Sequence, residues 1–464
     1  MGSCTHAAGG CVWGWVELEL VEVPLVYLYF ATKWKIATPV PHVPVPMLGV
    51  HRKRANVAEC SHFLHRELAS SHPRWSAAFR AVDLHRPRTP RRVWSLIVFG
   101  FEIPMLVLHM RILQPVVAGF LVSEGTTTYH TVNRGHHEAK DKPAVLTEAM
   151  ANGTFPADLA AITRVTVLNA SHEYEQCAQR WHRGGNLFRG PQGCYEPRHY
   201  HALLELLAEV ASTGDLALLG DVDEIAIPEV ITMLQSCAPW WGDDATSSRF
   251  LMARGNATNA TLLPHMYVLD TWDIKYGVHC WPDRPTWLHG PHVFSASWLL
   301  AHRQQLTPLQ VRLTRHVGLS YHPHVHPGGW HFTSFGEPWE LQRKLRTWSH
   351  ADLFDAQSSR HPPPALLSMH RLELCASNCL SAMGHLEVMP TPGRNTPLHL
   401  ISPSQKHEAS SCERRDGALE VRLPGTVLNE SDLLDGRRLP AYLLAHRAEY
   451  AAFFRYVRDG NGHS

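Results

Sequence analysis

The chain has 464 residues, with 43 Lys and Arg against 42 Asp and Glu, a formal net charge of +1 and 44% hydrophobic residues. A charge this close to zero, with no basic stripe interleaved with aromatics, excludes bulk attraction to nucleic acid, and no nucleic-acid partner is expected. The length and ordinary apolar content exclude a disordered chain and suit one large domain with appendages, or two domains.

In chain order, the segment from Cys11 to Thr32 (CVWGWVELELVEVPLVYLYFAT) is long enough to span a bilayer but carries Glu17, Glu19 and Glu22. Each acid in mid-membrane costs about 3 kcal/mol on insertion scales, so this is a marginal signal anchor. Residues 33 to 92 are rich in Pro, His and Arg and read as a stem, giving an N-terminal region over 1–92. Order is predicted from Val93. VWSLIVFGF reads as a buried strand, EIPMLVLHMRILQPV as a helix and VAGFLVSEG as a second buried strand, a βαβ unit with a parallel sheet. A helix over Pro197 to Ser212 leads into the strand DLALLG, and EVITMLQSC opens another helix. The pattern defines a catalytic domain over 93–359, of α/β class with a mostly parallel central sheet. From Arg360 it loosens, and 360–464 reads as a C-terminal appendage with one amphipathic helix near PAYLLAHRAEYAAFFRYV.

The ten cysteines form no zinc-ribbon spacing, and Asn-x-Ser/Thr sequons stand at Asn152, Asn169, Asn256, Asn259 and Asn429. Together they favour a secretory lumen, where disulfides persist. Seven cysteines lie beyond residue 170, so in an oxidising lumen one of them stays free or pairs with Cys60.

The densest chemistry is LALLGDVDEIAIPEV, Leu216 to Val230, an apolar strand that ends in Asp221, Asp223 and Glu224. In an extended strand, residues two apart share a face, so Asp221 and Asp223 are expected to point the same way. Two carboxylates about 4 Å apart repel by roughly 4 kcal/mol at an effective dielectric near 20, so something positive is expected between them. A hard cation, Mg²⁺ or Mn²⁺, suits such a pair, with substrate phosphates completing its shell. The end of a strand in an open α/β sheet is also where ligands bind. Glu224 and Ile225 stand where an aspartyl phosphatase would want Gly and then Thr or Val, and the further oxygens and glycine of a calcium loop are absent. No Gly-rich phosphate loop occurs. The second dense patch, Tyr321 to His350, holds His322, His324 and His326 in a Pro/Gly-rich turn, and His331 among small and aromatic residues, where it could complete the shell of a metal held by the acidic pair.

Three stretches in collinear order carry a resemblance: DVDEI with a following Pro; GWHFTSFG followed by a helix with Lys344 and ending Ser349, His350; and LHMRILQPVVAGFLVSEGTTTY. Over Val93 to Asp355 the chain resembles glycosyltransferase family 17, the β-1,4-mannosyl-glycoprotein 4-β-N-acetylglucosaminyltransferases. The resemblance implies a nucleotide-diphospho-sugar transferase (GT-A-like) fold. It also implies UDP-GlcNAc as donor, Mn²⁺ or Mg²⁺ as cofactor, and an inverting transfer of GlcNAc to a mannose of an N-glycan, with a luminal Golgi domain of type II topology. Asp221 and Asp223 match the family's acidic motif and are the implied metal and diphosphate ligands, and Glu224 matches its next acid. Glu102 matches an acid after the first strand. Glu124, ending the second strand, matches another and is a candidate for binding the nucleotide or sugar. Arg198 matches a basic residue before the acidic strand, Trp330 and His331 the aromatic–His motif, and Lys344 a counter-charge for the diphosphate. Where vertebrate relatives carry Cys in the GWH motif, this chain has Phe332 and Phe335.

Transfer also needs a general base on the acceptor hydroxyl, a role worth about 10²- to 10⁴-fold in rate. Glu124, Asp270 and Asp273 are the candidates, Asp273 having the aromatic surface of Trp272 beside it. Two alternatives are a nucleotide-sugar hydrolase, which shares the acidic pair but needs no acceptor, and a non-catalytic glycan-binding protein on the same scaffold.

Overall fold

The structure, a computed structural model, describes residues 55–68, 76–80, 89–127, 143–168, 192–240, 264–275, 290–303, 322–347 and 439–455, the strand pair 5–7 and 10–12, and a few isolated positions. The candidate anchor falls, apart from its first two residues, outside them. No helix among the described residues is long and apolar enough to cross a membrane.

Eight strands form one mixed sheet: β1 (Val93–Phe99), β2 (Gly119–Gly125), β3 (Thr163–Leu168), β4 (Leu216–Asp221), β5 (Glu224–Ala226), β6 (Met266–Lys275), β7 (His292–Ser295) and β8 (His324–Thr333). Their spatial order is β3-β2-β1-β4-β7-β6-β8-β5. Strands β1 to β4 run parallel. β7 is antiparallel to both β4 and β6, and β8 is parallel to β6 but antiparallel to the edge strand β5. The α/β class with a mostly parallel sheet holds, as the apolar runs of β1 and β2 require: strands covered on both faces carry few polar residues. The helices that matter to the site are α1 (Ile103–Leu113), α2 (Gln192–Val210), α3 (Pro228–Ser236), α4 (Ala296–His302) and α5 (Pro338–Thr347). One core joins α1 and α3 to the sheet through Leu106, Leu113, Leu218, Ile225 and Leu234. A second joins α2 to it through Tyr200, Leu203, Leu96, Leu219 and Phe294.

The chain leaves β1 for β2 and β3 on one side and resumes with β4 on the other. That reversal opens a crevice beyond the C-terminal ends of β1 and β4, the place where open α/β sheets bind ligands. It lies between Gly100–Glu102 and Asp221–Asp223.

The core also takes in residues from both sides of 93–359. Cys60, Phe63, Leu64, Leu68, Phe79 and Val82, placed by sequence in a stem, are buried in the α1/α3 core, and Cys60 is disulfide-bonded to Cys237 at the end of α3. Leu439, Leu443, Tyr450, Phe453 and Phe454, placed in an appendage, belong to the same core. The Pro-, His- and Arg-rich composition hid the first set, and a long intervening segment hid the second. Phe453 packs edge-to-face on Phe335 at 5.0 Å, and its carbonyl accepts from Val278 N–H. Phe453→Ala is expected to cost about 3–5 kcal/mol, read as a lower urea midpoint. An unchanged midpoint would show that the C-terminal segment adds nothing to the core.

Three histidines are held neutral by the fold. Burial pushes His109 down to about 4, although its Nδ1–H donates to the Val222 carbonyl at 3.0 Å. Burial likewise lowers His201 to about 4 and His265, stacked on Trp298, to about 3. A folded-state value below the unfolded one means that the unfolded chain takes up protons first as pH falls. Stability is therefore complete above about 6.5 and declines toward pH 4, with His109 contributing up to roughly 3 kcal/mol of the loss. Urea midpoints between pH 7 and 4.5 should fall, and His109→Asn, which keeps the donor to Val222, should flatten that fall. An equal slope in the variant would remove His109 from the account.

Candidate functional site

The acidic turn is not an extended strand. β4 ends at Asp221, Val222 and Asp223 form a turn, and β5 starts at Glu224, so Asp221 and Asp223 do not share a strand face as the period-two reading expected. Glu224 shapes the turn. Its carboxylate, on a residue only 1% exposed, accepts the Asp221 N–H at 3.0 Å. It fits because position 290 is glycine: a Cβ there would stand 2.2 Å from Glu224 Oε1. His109 supports the turn from the opposite side through Val222. Glu224 thus positions the turn through its carboxylate.

A positive group does stand at this turn, but between Asp223 and Glu102 rather than between Asp221 and Asp223: it is Lys344 on α5. Its ammonium lies 2.7 Å from Asp223 Oδ2 and 3.2 Å from Glu102 Oε1, bridging the ends of β4 and β1 across the crevice. Glu102 occupies the N-cap position of α1 but makes no side-chain cap bond. Burial would lower the Lys344 pKa, but Asp223 and Glu102 outweigh it and hold it above the ordinary value. Burial likewise opposes ionisation of Asp223, yet Lys344 and His331 keep it below the usual carboxylate range.

β8 supplies the other half. Register places Glu224 of β5, His331 of β8 and Asp273 of β6 side by side in one row across three strands. β8 approaches β5 closely enough for this pairing because Gly329 has no Cβ, which would stand 2.4 Å from the Ile225 carbonyl. His331 Nδ1–H donates to Asp273 Oδ1 at 3.0 Å, and the Thr333 hydroxyl donates to the same oxygen at 2.9 Å. His331 Nε2 stands 3.8 Å from Asp223 Oδ1. Burial acts to lower the His331 pKa, but the Asp273 bond and the charges of Asp223, Asp273 and Glu224 raise it overall. In the folded chain His331 is thus a hydrogen-bond and charge partner of Asp273, with Asp223 close by.

The remaining expected residues lie apart or serve the fold. Glu124, fully buried, accepts from Leu146 N, Thr147 N and Thr147 Oγ1 at 2.9–3.2 Å, so it caps the helix Val145–Ala151 instead of meeting a ligand. Its expected role at the nucleotide, and as a base, is withdrawn for that reason: three donors already hold its two oxygens. Asp270 is held by His324 at 2.8 Å. Trp330 is a core residue paired in register with Ile225 and Trp272. Arg198 lies on α2 beside His201, whose pKa its charge lowers further. Phe332 and Phe335 form an edge-to-face pair at 5.0 Å under the β8–α5 turn.

Among the described residues no three His, Cys, Asp or Glu side chains are grouped as a metal cage. The donors present, Asp221 at the end of β4 and the buried Asp223 beside Lys344, fit the sparser pattern of a hard cation held by one or two carboxylates with phosphate and water supplying the rest. Sequence reasoning missed Thr333 and the pairing of Glu102 with Lys344. Thr333 had a signal, since it stands two residues from His331 and so on the same strand face. The Glu102–Lys344 pairing, 242 residues apart in the chain, had none.

No family model matches this chain, and no curated protein matches it at a significant level.

Removing Lys344 should expose its structural share. Lys344→Met leaves Asp223 and Glu102 facing each other without a counter-charge and is expected to cost about 3 kcal/mol in urea unfolding. Adding Asp223→Asn should restore part of that loss. A double variant as unstable as the single one would show that the ion pair is not the cause.

Proposed function

We propose that this chain is a glycosyltransferase that uses a nucleotide-diphospho-sugar, in line with the family 17 resemblance: GlcNAc moves from UDP-GlcNAc to a mannose of an N-glycan, with inversion. The observation that carries this reading is Lys344 bridging Glu102 and Asp223, itself two residues from Asp221 at the end of β4, at the switch-point crevice beside the His331–Asp273 pair. On this reading the sheet is that of a nucleotide-diphospho-sugar transferase (GT-A-like).

Asp221 and Asp223 would hold Mn²⁺ or Mg²⁺, which when bound neutralises the diphosphate. Lys344 provides a second positive charge on the leaving-group side. Asp273 is the general base: it accepts the proton of the acceptor hydroxyl as that oxygen bonds to the anomeric carbon and the bond from that carbon to the diphosphate oxygen breaks, releasing UDP. His331 and Thr333 hold Asp273 in place for this. Glu224 keeps Asp221 oriented through its backbone.

A luminal Golgi location fits two features: the Cys60–Cys237 disulfide, which persists in oxidising compartments, and the exposed sequon at Asn152. An N-terminal anchor in a type II arrangement belongs to the same proposal.

The test is UDP release from UDP-GlcNAc with Mn²⁺ by the full chain, with and without a pool of N-glycans, beside Asp223→Asn and Asp273→Asn. Glycan-stimulated release that needs Mn²⁺ and falls about 10²-fold or more in both variants is expected. Release indifferent to glycan would instead mark a nucleotide-sugar hydrolase. No release from any UDP-sugar by folded protein would leave only glycan binding.

A further inference from the structure

The turn that carries the acids is pinned at three consecutive residues. The Asp221 N–H donates to Glu224 at 3.0 Å, the Val222 carbonyl accepts from His109 at 3.0 Å, and the Asp223 carbonyl accepts from the Phe332 N–H at 2.8 Å. A backbone held at each step leaves the Asp223 carboxylate little freedom to swing. Its Oδ2 holds the Lys344 ammonium at 2.7 Å, and its Oδ1 lies 3.8 Å from His331 Nε2. Glu102 is held as well: its Oε2 accepts the Phe101 N–H at 3.2 Å, while Oε1 meets the ammonium at 3.2 Å. The mobile member of this contact is Lys344, whose charge rides on a flexible four-carbon stem and whose side chain keeps 19% exposure.

One carboxylate oxygen cannot serve two cations. A hard divalent cation such as Mg²⁺ binds a bare carboxylate oxygen at about 2.1 Å, and Asp223 Oδ2 is covered by the ammonium. We propose that Lys344 is a built-in occupant of the cation site: in the free chain its ammonium closes Asp223 to a divalent cation, and it hands that oxygen over when the cation arrives with a nucleotide diphosphate to receive the ammonium. This rests on the transferase reading and names how that site is regulated.

The exchange follows from charge. A cation that displaces the ammonium by itself leaves Lys344 next to a second positive charge, a like-charge pair at close range in a partly dehydrated site. A diphosphate removes that penalty, because the ammonium passes from a carboxylate to a phosphate oxygen and keeps a charged acceptor throughout. Cation and nucleotide therefore raise each other's affinity through Lys344, and the gain is reciprocal. In the empty site the same ammonium compensates Asp223 and Glu102, which the fold has drawn together.

Mn²⁺ binding to the full chain, read from the electron paramagnetic resonance signal of free Mn²⁺, tests this without turnover. In the absence of nucleotide, Lys344→Met should bind Mn²⁺ about tenfold more tightly than wild type, and UDP should tighten Mn²⁺ by a similar factor in wild type but far less in the variant. Arg343→Met removes the same charge from the same helix, but that guanidinium lies 4.3 Å over the Phe101 ring. Its Mn²⁺ affinity should stay within about twofold of wild type. Because Lys344→Met is less stable, the wild type supplies an independent readout: acylation of Lys344 by an amine-reactive reagent, followed by mass spectrometry, should rise as Mn²⁺ saturates and fall again when UDP is added. Equal Mn²⁺ affinity in wild type and Lys344→Met sinks the occupant role alone, as does unchanged acylation at saturating Mn²⁺. An equal gain in Arg343→Met also overturns it, since the effect would then belong to the general field. If neither wild type nor Lys344→Met binds Mn²⁺ with or without UDP, the metal-dependent reading fails and the occupant role falls with it.

Discussion

The Lys344 ammonium between Asp223 and Glu102 is the constraint around which the rest is arranged. Carboxylates taken out of water cost several kcal/mol each unless a cation compensates them. Here the compensating cation comes from a helix more than a hundred residues away in sequence from either acid. For the ammonium to reach both, α5 must lie across the mouth of the β1–β4 crevice, which fixes the turn from β8 into α5. Ser334 and Gly336 in that turn adopt positive φ, of 62° and 126°. For Ser334 this is a conformation a side chain tolerates poorly, at about 1–2 kcal/mol. The packing around it supports the turn: Phe335 is wedged between Phe332 and Phe453, and Arg455 pairs with Glu337.

A second constraint runs across the strands. Because β8 lies between β6 and β5, a single register decision puts Glu224, His331 and Asp273 in one row. A shift of one residue would turn His331 to the opposite face and bring Trp330 or Phe332 against Asp273. Glycine at 329 permits the close approach to β5, and glycine at 290 leaves room for Glu224. These positions carry no chemistry, yet they decide where the charged groups stand. His331 and Lys344 then share one task, since each supplies positive charge to an acid the fold has partly dehydrated.

The sequence made the local features legible. β1, β2 and β4 are apolar runs whose strand character follows from composition alone, and Pro104 and Pro228 mark the starts of α1 and α3. The acids at the end of β4 were legible as a charged cluster in want of a positive partner. Its identity was less so. Lys344 stood out only through a resemblance, as a counter-charge for a ligand, while in the folded chain it already serves Asp223 and Glu102. Glu124 misled because a carboxylate at a strand end looks the same whether it faces a ligand or caps a helix. The 55–68 and 439–455 segments misled because their few apolar residues are spaced irregularly. Their burial depends on a groove made by α1, α3 and β8, which no local window contains.

Charge balance bears on what the proposed site can bind. Five carboxylates, Glu102, Asp221, Asp223, Glu224 and Asp273, cluster with two cations, Lys344 and His331, and leave the crevice formally negative. Such a field repels a diphosphate, and with effective dielectrics well below that of water the repulsion amounts to several kcal/mol. On the proposed reading, a divalent cation on Asp221 and Asp223 would reverse the sign where the phosphates arrive, and donor binding and cation binding would then be coupled and reciprocal.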